Sequence, residues 1–295
     1  MASDRAQELS IIADGATGFA QAPWLNAWRL LEPELGLSLD ALAEAEASER
    51  LDRLNRVAVS RGLFLRAEQP LRFIAQTEAK TEAKTEAQGQ ILAMSYEQAV
   101  ATFGAVPTRV NGPGALHDLL NALAWLCFPR VKAVLHWLQA TEIARDGIGA
   151  ARGRLRDGVT LLDENGIFLV VRNQVDATRL RERDWHRLLI EDRARWGAEI
   201  FPVPLGHGLV ERLVRPYPAL TAHVRPLRLP PAWFAVSPLE QIRQLDRVAA
   251  ARLRARPPLP GALDPLPVLG IPGWWADNLD PAFYRDMRVF RPRPG

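Results

Sequence analysis

The stretch from Arg109 to Lys132 constrains this chain most. A Gly112-Pro113-Gly114 loop opens directly onto a segment whose apolar residues recur with a helical period. At about 100° per residue, Leu116, Leu119, Leu120, Leu123, Leu126 and Cys127 share one broad apolar face, which needs other elements to pack against. His117, Asp118, Asn121 and Trp125 fall on the opposite side. A solvated face carries Lys, Glu and Arg. This one carries short polar groups that need partners, so the same helix marks a candidate site.

Around it the punctuation predicts many short elements. Trp24, Leu25, Trp28 and Leu31 have helical spacing over 22–31, and Ser38 and Asp40 can cap a helix over 38–59. Leu63, Leu65, Leu71, Phe73 and Ile74 read as strands on either side of a turn near Gln69-Pro70. Residues 77–90 hold a low-complexity insertion, a tandem Thr-Glu-Ala-Lys repeat with no apolar face and with Glu residues four apart, and it reads as a mobile loop or frayed helix. Helices are expected over 94–103 and from Pro129 to about Gly147. A Gly/Arg segment covers 149–158. Val159-Thr160-Leu161-Leu162, then Asp163-Glu164-Asn165-Gly166, then an apolar run to Val171 read as a β-hairpin, because Asn-Gly favours a tight turn.

Further on, a charged helix is expected over 177–196, a strand over 199–205 and a short helix from Gly206-His207 to Val214. A strand over 224–229 and a helix capped by Ser237 follow. Residues 257–295 are rich in Pro, Gly and Trp. Several of the aromatics there need burial, so this segment is expected to wrap the domain as an extended arm. Strands and helices do not alternate as βαβ units. The expected fold is therefore α+β, a predominantly helical single domain over 1–295 with a β-hairpin and a small sheet.

Composition narrows the function classes. With 295 residues the chain can bury a large core, and a formal charge of +3 does not by itself imply a nucleic-acid partner. The single cysteine, Cys127, excludes an intrachain disulfide and reads as a small buried hydrophobe. The first residues lack the basic-then-apolar pattern of a signal peptide, and no apolar run is long enough to span a membrane, so a soluble cytoplasmic protein is expected.

With the residues laid out, the chain resembles the bacterial family known as domain of unknown function 3025. The resemblance rests on Val106-Pro107-Thr108-Arg109-Val110-Asn111, His117-Asp118-Leu119-Leu120-Asn121-Ala122-Leu123 with Trp125, and Phe128-Pro129-Arg130-Val131-Lys132-Ala133. Arg152-Gly153, Arg156-Asp157, Thr160 to Gly166, Gly206-His207-Gly208-Leu209-Val210-Glu211, Pro216 to His223 and Pro267 to Trp275 continue it, through to Phe290-Arg291-Pro292. It covers about residues 22–292. The repeat at Thr77 departs from it, as does Gly208, where similar chains carry Ala. The resemblance implies one intact domain and no function.

Candidate site residues follow from chemistry. His207 and Glu211 are four apart on a helix entered from a strand, a spacing that aligns two ligands for one divalent metal, with His117 and Asp118 as further donors suited to Zn, Mn or Fe. The competing reading has His207 capping the helix and pairing with Glu211. His117 can also serve as a general base, with Asp118 or Asp157 orienting another group and Asn121 beside them; alternatively these groups form a network at the helix start. Arg109, Asn111, Arg152 and Arg156, with Lys132 and Arg154 nearby, can hold phosphate, or else Arg109 pairs with Asp118 and Arg156 with Asp157 as structural ion pairs. Asp163 and Glu164 read as turn residues that can also bind a cation.

Two expectations result. One is an enzyme acting on a phosphorylated or otherwise anionic substrate by metal-assisted or His/Asp acid–base hydrolysis or transfer, with its pocket between the Leu116 and Gly206 helices. The other is a non-catalytic protein that binds RNA or another protein through the basic segment 145–156 and the Pro/Trp-rich tail.

Overall fold

The structure, a computed structural model, describes residues 21–66, 69–76, 91, 96–146 and 153–293. Contacts divide the chain into two compact units. One contains Trp28–Arg156, and the other joins Ala22–Ala27 to the residues from Asp157 onward. The fold is α+β with helices dominating. Among the described residues no helix is long and apolar enough to cross a membrane.

In the first unit the helix expected over 38–59 is two: α1 (Leu39–Glu44) and α2 (Ala47–Ser60), with extended backbone at Ala45 and Glu46 between them. Ser38 caps α1, its hydroxyl accepting from the Ala41 amide at 3.2 Å. The break has a donor of its own. Buried Arg50 gives its guanidinium protons to the carbonyls of Leu42, Ala43 and Ala45, which α1 leaves without helical partners, and to Val110. Burial lowers its pKa, and Glu46 works against that shift. Ser38→Ala is expected to destabilise the protein by about 1 kcal/mol in chemical denaturation, the usual cost of losing a hydroxyl cap.

Strands β1 (Phe64–Arg66) and β2 (Gln69–Pro70) form a small antiparallel pair, so Gln69-Pro70, expected at a turn, is itself strand, and the apolar residues after it pair elsewhere. Strand β3 (Arg72–Ala75) lies parallel to β4 (Ala105–Thr108), with Arg72 opposite Ala105 and Ala75 opposite Thr108. The outer edge of β3 is closed by a side chain: Asn55 of α2 donates to the Phe73 carbonyl and accepts from its amide at 2.9 and 2.7 Å. Helix α3 (Tyr96–Phe103) precedes β4, and helices α4 (Ala115–Cys127) and α5 (Pro129–Asp146) follow it. The Thr77 repeat lies outside the described residues.

In helix α4 the polar face read from the sequence is buried along with the apolar one. The helix is buried on every side, Asp118, Asn121 and Trp125 included, and only His117 is half-exposed. A helix apolar on one face and hydrogen-bonded on the other can sit in a core, because its polar groups find partners there.

The second unit centres on a four-stranded sheet of order β6-β5-β7-β8, built from β5 (Gly166–Val171), β6 (Ile200–Pro204), β7 (Thr221–Arg228) and β8 (Asp264–Pro267). β5 is wholly buried, antiparallel to β6 and parallel to β7. The expected hairpin over 159–171 is absent. Helix α6 (Arg154–Asn165) runs up to the strand, and the chain passes from helix to sheet at Gly166. A Cβ on Gly166 would lie 2.1 Å from the Leu162 carbonyl oxygen, so glycine here serves close packing and not a tight turn. Val159 and Leu162, three apart, supply the buried face of α6.

The expected charged helix over 177–196 is also broken. Helix α7 (Gln174–Glu182) stops where Arg183 turns left-handed at φ 55°, and a π-helical segment, His186–Glu191, follows. Helix α8 (His207–Arg212) follows β6, and α9 (Pro238–Ala255) begins at the Ser237 cap.

The arm wraps this unit as expected. Trp274 meets Trp24 edge to face at 5.9 Å, and the Trp185 indole donates to the Arg291 carbonyl at 2.8 Å. Buried Asn278 donates to the carbonyls of Leu269 and Ile271 and accepts from Arg193.

Candidate functional site

The polar groups of α4 are engaged within the first unit. Asp118 accepts from the Arg109 amide at 2.6 Å and from its guanidinium at 2.9 and 2.8 Å. Gly114, at φ +83°, lies against that guanidinium: a Cβ there would sit 2.3 Å from Arg109 Nη1. Asp118 thus fixes the loop before α4, the structural ion pair weighed from the sequence. Asn121 accepts from Lys132 Nζ at 2.9 Å and donates to the Tyr96 hydroxyl, which also accepts from the Trp125 indole at 3.0 Å. The Lys132 ammonium stands 5.5 Å over the Trp125 ring, and the His136 ring packs on both Tyr96 and Trp125. Lys132 is buried at 2% exposure, which removes it from the surface phosphate holders. Tyr96 and His136 belong to this network without a sequence signal, since only the fold brings α3 and α5 to α4.

The other first-unit residues lie apart from it. His117 occupies the first turn of α4, and Asn111 is exposed in the preceding loop. Arg152 lies outside the described residues. Arg156 is half-buried on α6, and it makes no ion pair with Asp157 of the second unit, so that expected pair is absent.

In the second unit, His207 opens α8 buried at 3% exposure. Gly206, not His207, is the N-cap residue, and no side chain caps the helix, which corrects the capping reading. The carboxylate facing the imidazole is Glu164, from the end of α6, with Oε1 3.4 Å from Nε2. Glu211 stands one turn further along α8, half-buried. Two glycines make room for the pair. A Cβ on Gly206 would fall 2.5 Å from the Gly166 amide nitrogen, and one on Gly208 would fall 2.6 Å from Glu164 Oε2. Glu164 was read as a turn residue because the hairpin placed it there; as the last turn of a helix it reaches His207. An imidazole and a carboxylate are donors a Zn, Mn or Fe ion accepts.

A larger feature lies elsewhere in the same unit. A cleft of about 1300 Å³ is lined by Arg172, Arg181, Arg183, Arg225, Arg228, Arg252, Arg256 and Arg293, against one carboxylate, Asp264. Val171 pairs with Arg228, so Arg172 and Arg228 stand at the carboxyl ends of the parallel strands β5 and β7, a recurrent place for ligands in sheets with parallel strands. The wall is braced: Arg225 donates to the Arg256 carbonyl at 3.1 Å and Arg252 to the Arg228 carbonyl at 3.0 Å. The guanidiniums of Arg181, Arg228, Arg256 and Arg293 form no hydrogen bond or salt bridge among the described residues. Burial lowers the Arg225 pKa, helped by the neighbouring Arg252 and Arg256, while burial raises that of Asp264 against the pull of Arg181, Arg293, Arg183 and Arg225. Sequence reasoning missed this cluster. Its members come from five separate stretches, and the available signal was the short Arg spacing at 181/183, 225/228 and 252/256.

The two features are at opposite ends of β5. Glu164 and His207 adjoin its amino end and Arg172 follows its carboxyl end, one strand length away, about 17 Å at ~3.3 Å per residue.

A sequence model described as a protein of unknown function (DUF3025) matches residues 71–294. The chain belongs to the DUF3025 family. The DUF3025 match takes in the Glu164–His207 pair and every arginine of the cleft, and it begins after α2, so Arg50 and its helix break precede it. Comparison of this DUF3025 chain with curated proteins and with solved structures finds no match.

Proposed function

We propose that this protein binds a phosphate-bearing anion in the arginine cleft of its second unit. One observation carries the reading: eight guanidiniums converge on one cleft with a single carboxylate among them, and four of them make no hydrogen bond or salt bridge among the described residues. Like charges are held together at a cost, which a polyanion would relieve. The guanidinium fork matches phosphate oxygens in pairs.

The lining also argues for binding over catalysis. It contains no His, Lys, Ser, Thr, Cys or Tyr, so Asp264 is the one group able to move a proton at ordinary pH. Acid–base work by His207, expected from the sequence, would have to act on a different ligand, because the Glu164–His207 pair stands a strand length from Arg172.

The test is a thermal melt with inorganic tripolyphosphate, 5-phosphoribosyl 1-diphosphate or ATP added at low salt. A ligand at a hundred times its Kd adds about 2.7 kcal/mol, a rise of roughly 5 °C for a chain of this size. The rise is expected with at least one of them, and it should shrink as NaCl is raised and screening shortens the reach of the arginines. No rise with any phosphate-bearing probe would remove the proposal.

A further inference from the structure

The lining of the cleft specifies more than charge. A ligand with one phosphate would leave most of the arginines unmatched, since they are spread over the end of β5, the end of α7, β7, the end of α9 and Arg293. No aromatic side chain lines the cleft, so nothing there stacks on a base, the contact that single-stranded nucleic acid sites rely on. The third observation is Asp264. Its carboxylate accepts no hydrogen bond and makes no salt bridge among the described residues, although four arginines act on it through space. It is a half-buried acceptor facing the cleft with its hydrogen-bonding capacity unused. A bare phosphate chain would bring more negative charge beside it. A hydroxyl brings the donor it lacks.

We infer that the cleft takes a small sugar or polyol carrying at least two phosphates and a free hydroxyl, the phosphates accepting from the arginines and the hydroxyl donating to Asp264. This rests on the reading that the cleft binds phosphate. Arg225 and Arg252, fixed on the carbonyls of Arg256 and Arg228, present a wall ordered before the ligand arrives. Asn173 and Gln174 at the start of α7 add amide donors and acceptors for further hydroxyls.

The experiment is titration calorimetry of the full chain with four kinds of probe. 5-Phosphoribosyl 1-diphosphate and inositol 1,4,5-trisphosphate carry phosphates and hydroxyls and distinguish a ribose from an inositol source. Inorganic tripolyphosphate carries phosphates alone, and RNA and DNA octamers supply the nucleic-acid comparison. At least one hydroxyl-bearing small probe is expected to bind about tenfold more tightly than tripolyphosphate, the worth of one hydrogen bond to a charged acceptor. In Asp264→Ala that preference should fall below about threefold, while tripolyphosphate binds as well as before or better. Asp264→Asn, which keeps the shape, should likewise raise tripolyphosphate affinity, so opposite movements of the two ligands separate the role from misfolding. Equal binding of tripolyphosphate and the hydroxyl-bearing probes, equal weakening of all of them in Asp264→Ala, or tighter binding of an octamer would overturn the inference. If tripolyphosphate binding is lost on reversing cleft arginines but no hydroxyl preference exists, the cleft still binds phosphate and only the inference fails. If no probe binds, both fail.

Discussion

Reversing Arg228 and Arg256 together, as Arg228→Glu with Arg256→Glu, is expected to weaken phosphate-ligand binding at least about 100-fold while leaving the free protein as stable as before. Each charge-assisted hydrogen bond to phosphate contributes about 1.5–3 kcal/mol, so two lost contacts reach two decades before the new repulsion is counted. Stability should hold because both side chains are exposed and neither guanidinium has a hydrogen-bond or salt-bridge partner among the described residues. Removing Arg256 also relieves one of the charges acting on half-buried Arg225. The matched control is Arg243→Glu with Arg254→Glu. It makes the same change of net charge on exposed residues outside the cleft, and it should shift the affinity less than threefold, since screening at physiological salt limits the reach of distant charges. Calorimetry and a melt of each protein decide the matter. Equal losses in the two pairs would mean that net charge alone, without a cleft, attracts the anion.

The second large effect is on stability. Asp176→Ala is expected to destabilise the second unit by about 3–5 kcal/mol, lowering Tm by roughly 6–9 °C. Asp176, on the first turn of α7, has no exposed surface and accepts both arms of the Arg195 guanidinium at 2.8 and 2.7 Å. Arg179 stands 3.7 Å away, and it also pairs with Asp192. The hydrogen bond from Arg195 to Asp176 is the largest cause of that arginine's raised pKa. These contacts hold the π-helical segment and the turn after it against α7. Losing the carboxylate leaves a guanidinium that is only a quarter exposed with Asp192 and Glu199 as its partners, and takes from Arg179 one of its two. Chemical denaturation followed by tryptophan fluorescence measures the loss; a change under 1 kcal/mol would show that Asp192 and Glu199 suffice as the Arg195 partners.

Local signals in the sequence were readable where one principle dominated. Ser38 and Ser237 cap helices as their type predicts, the helix from Ala115 follows its leucine period, and the aromatic tail is bound down. Reading failed where two signals competed. Asn165-Gly166 carries a strong turn signature, yet Val159 and Leu162 belong to a helical face, and the helix prevailed because Gly166 is needed for clearance over Leu162. That one misreading also hid the partner of His207, since Glu164 moved from a helix end to a turn. The break between α1 and α2 was equally hidden, because Arg50 looks like an ordinary surface arginine until the carbonyls it serves are seen. Arginines drawn from residues 172 to 293 into one cleft had no common pattern to betray them.

The order of the chain in the second unit bears on how it must fold. Residues 22–27 belong to that unit, and Trp24 meets Trp274 there, so the contact closes a loop containing residues 28–156 of the first unit. Loop closure costs entropy that grows only with the logarithm of length, so stability suffers little, but folding rates fall as partners grow distant in sequence. During synthesis Trp24 emerges 250 residues before its partner Trp274. Residues 28–156 of the first unit have all emerged by then, and the second unit completes itself after them. A fragment beginning at Asp157 would present Trp274 with no Trp24 to cover it.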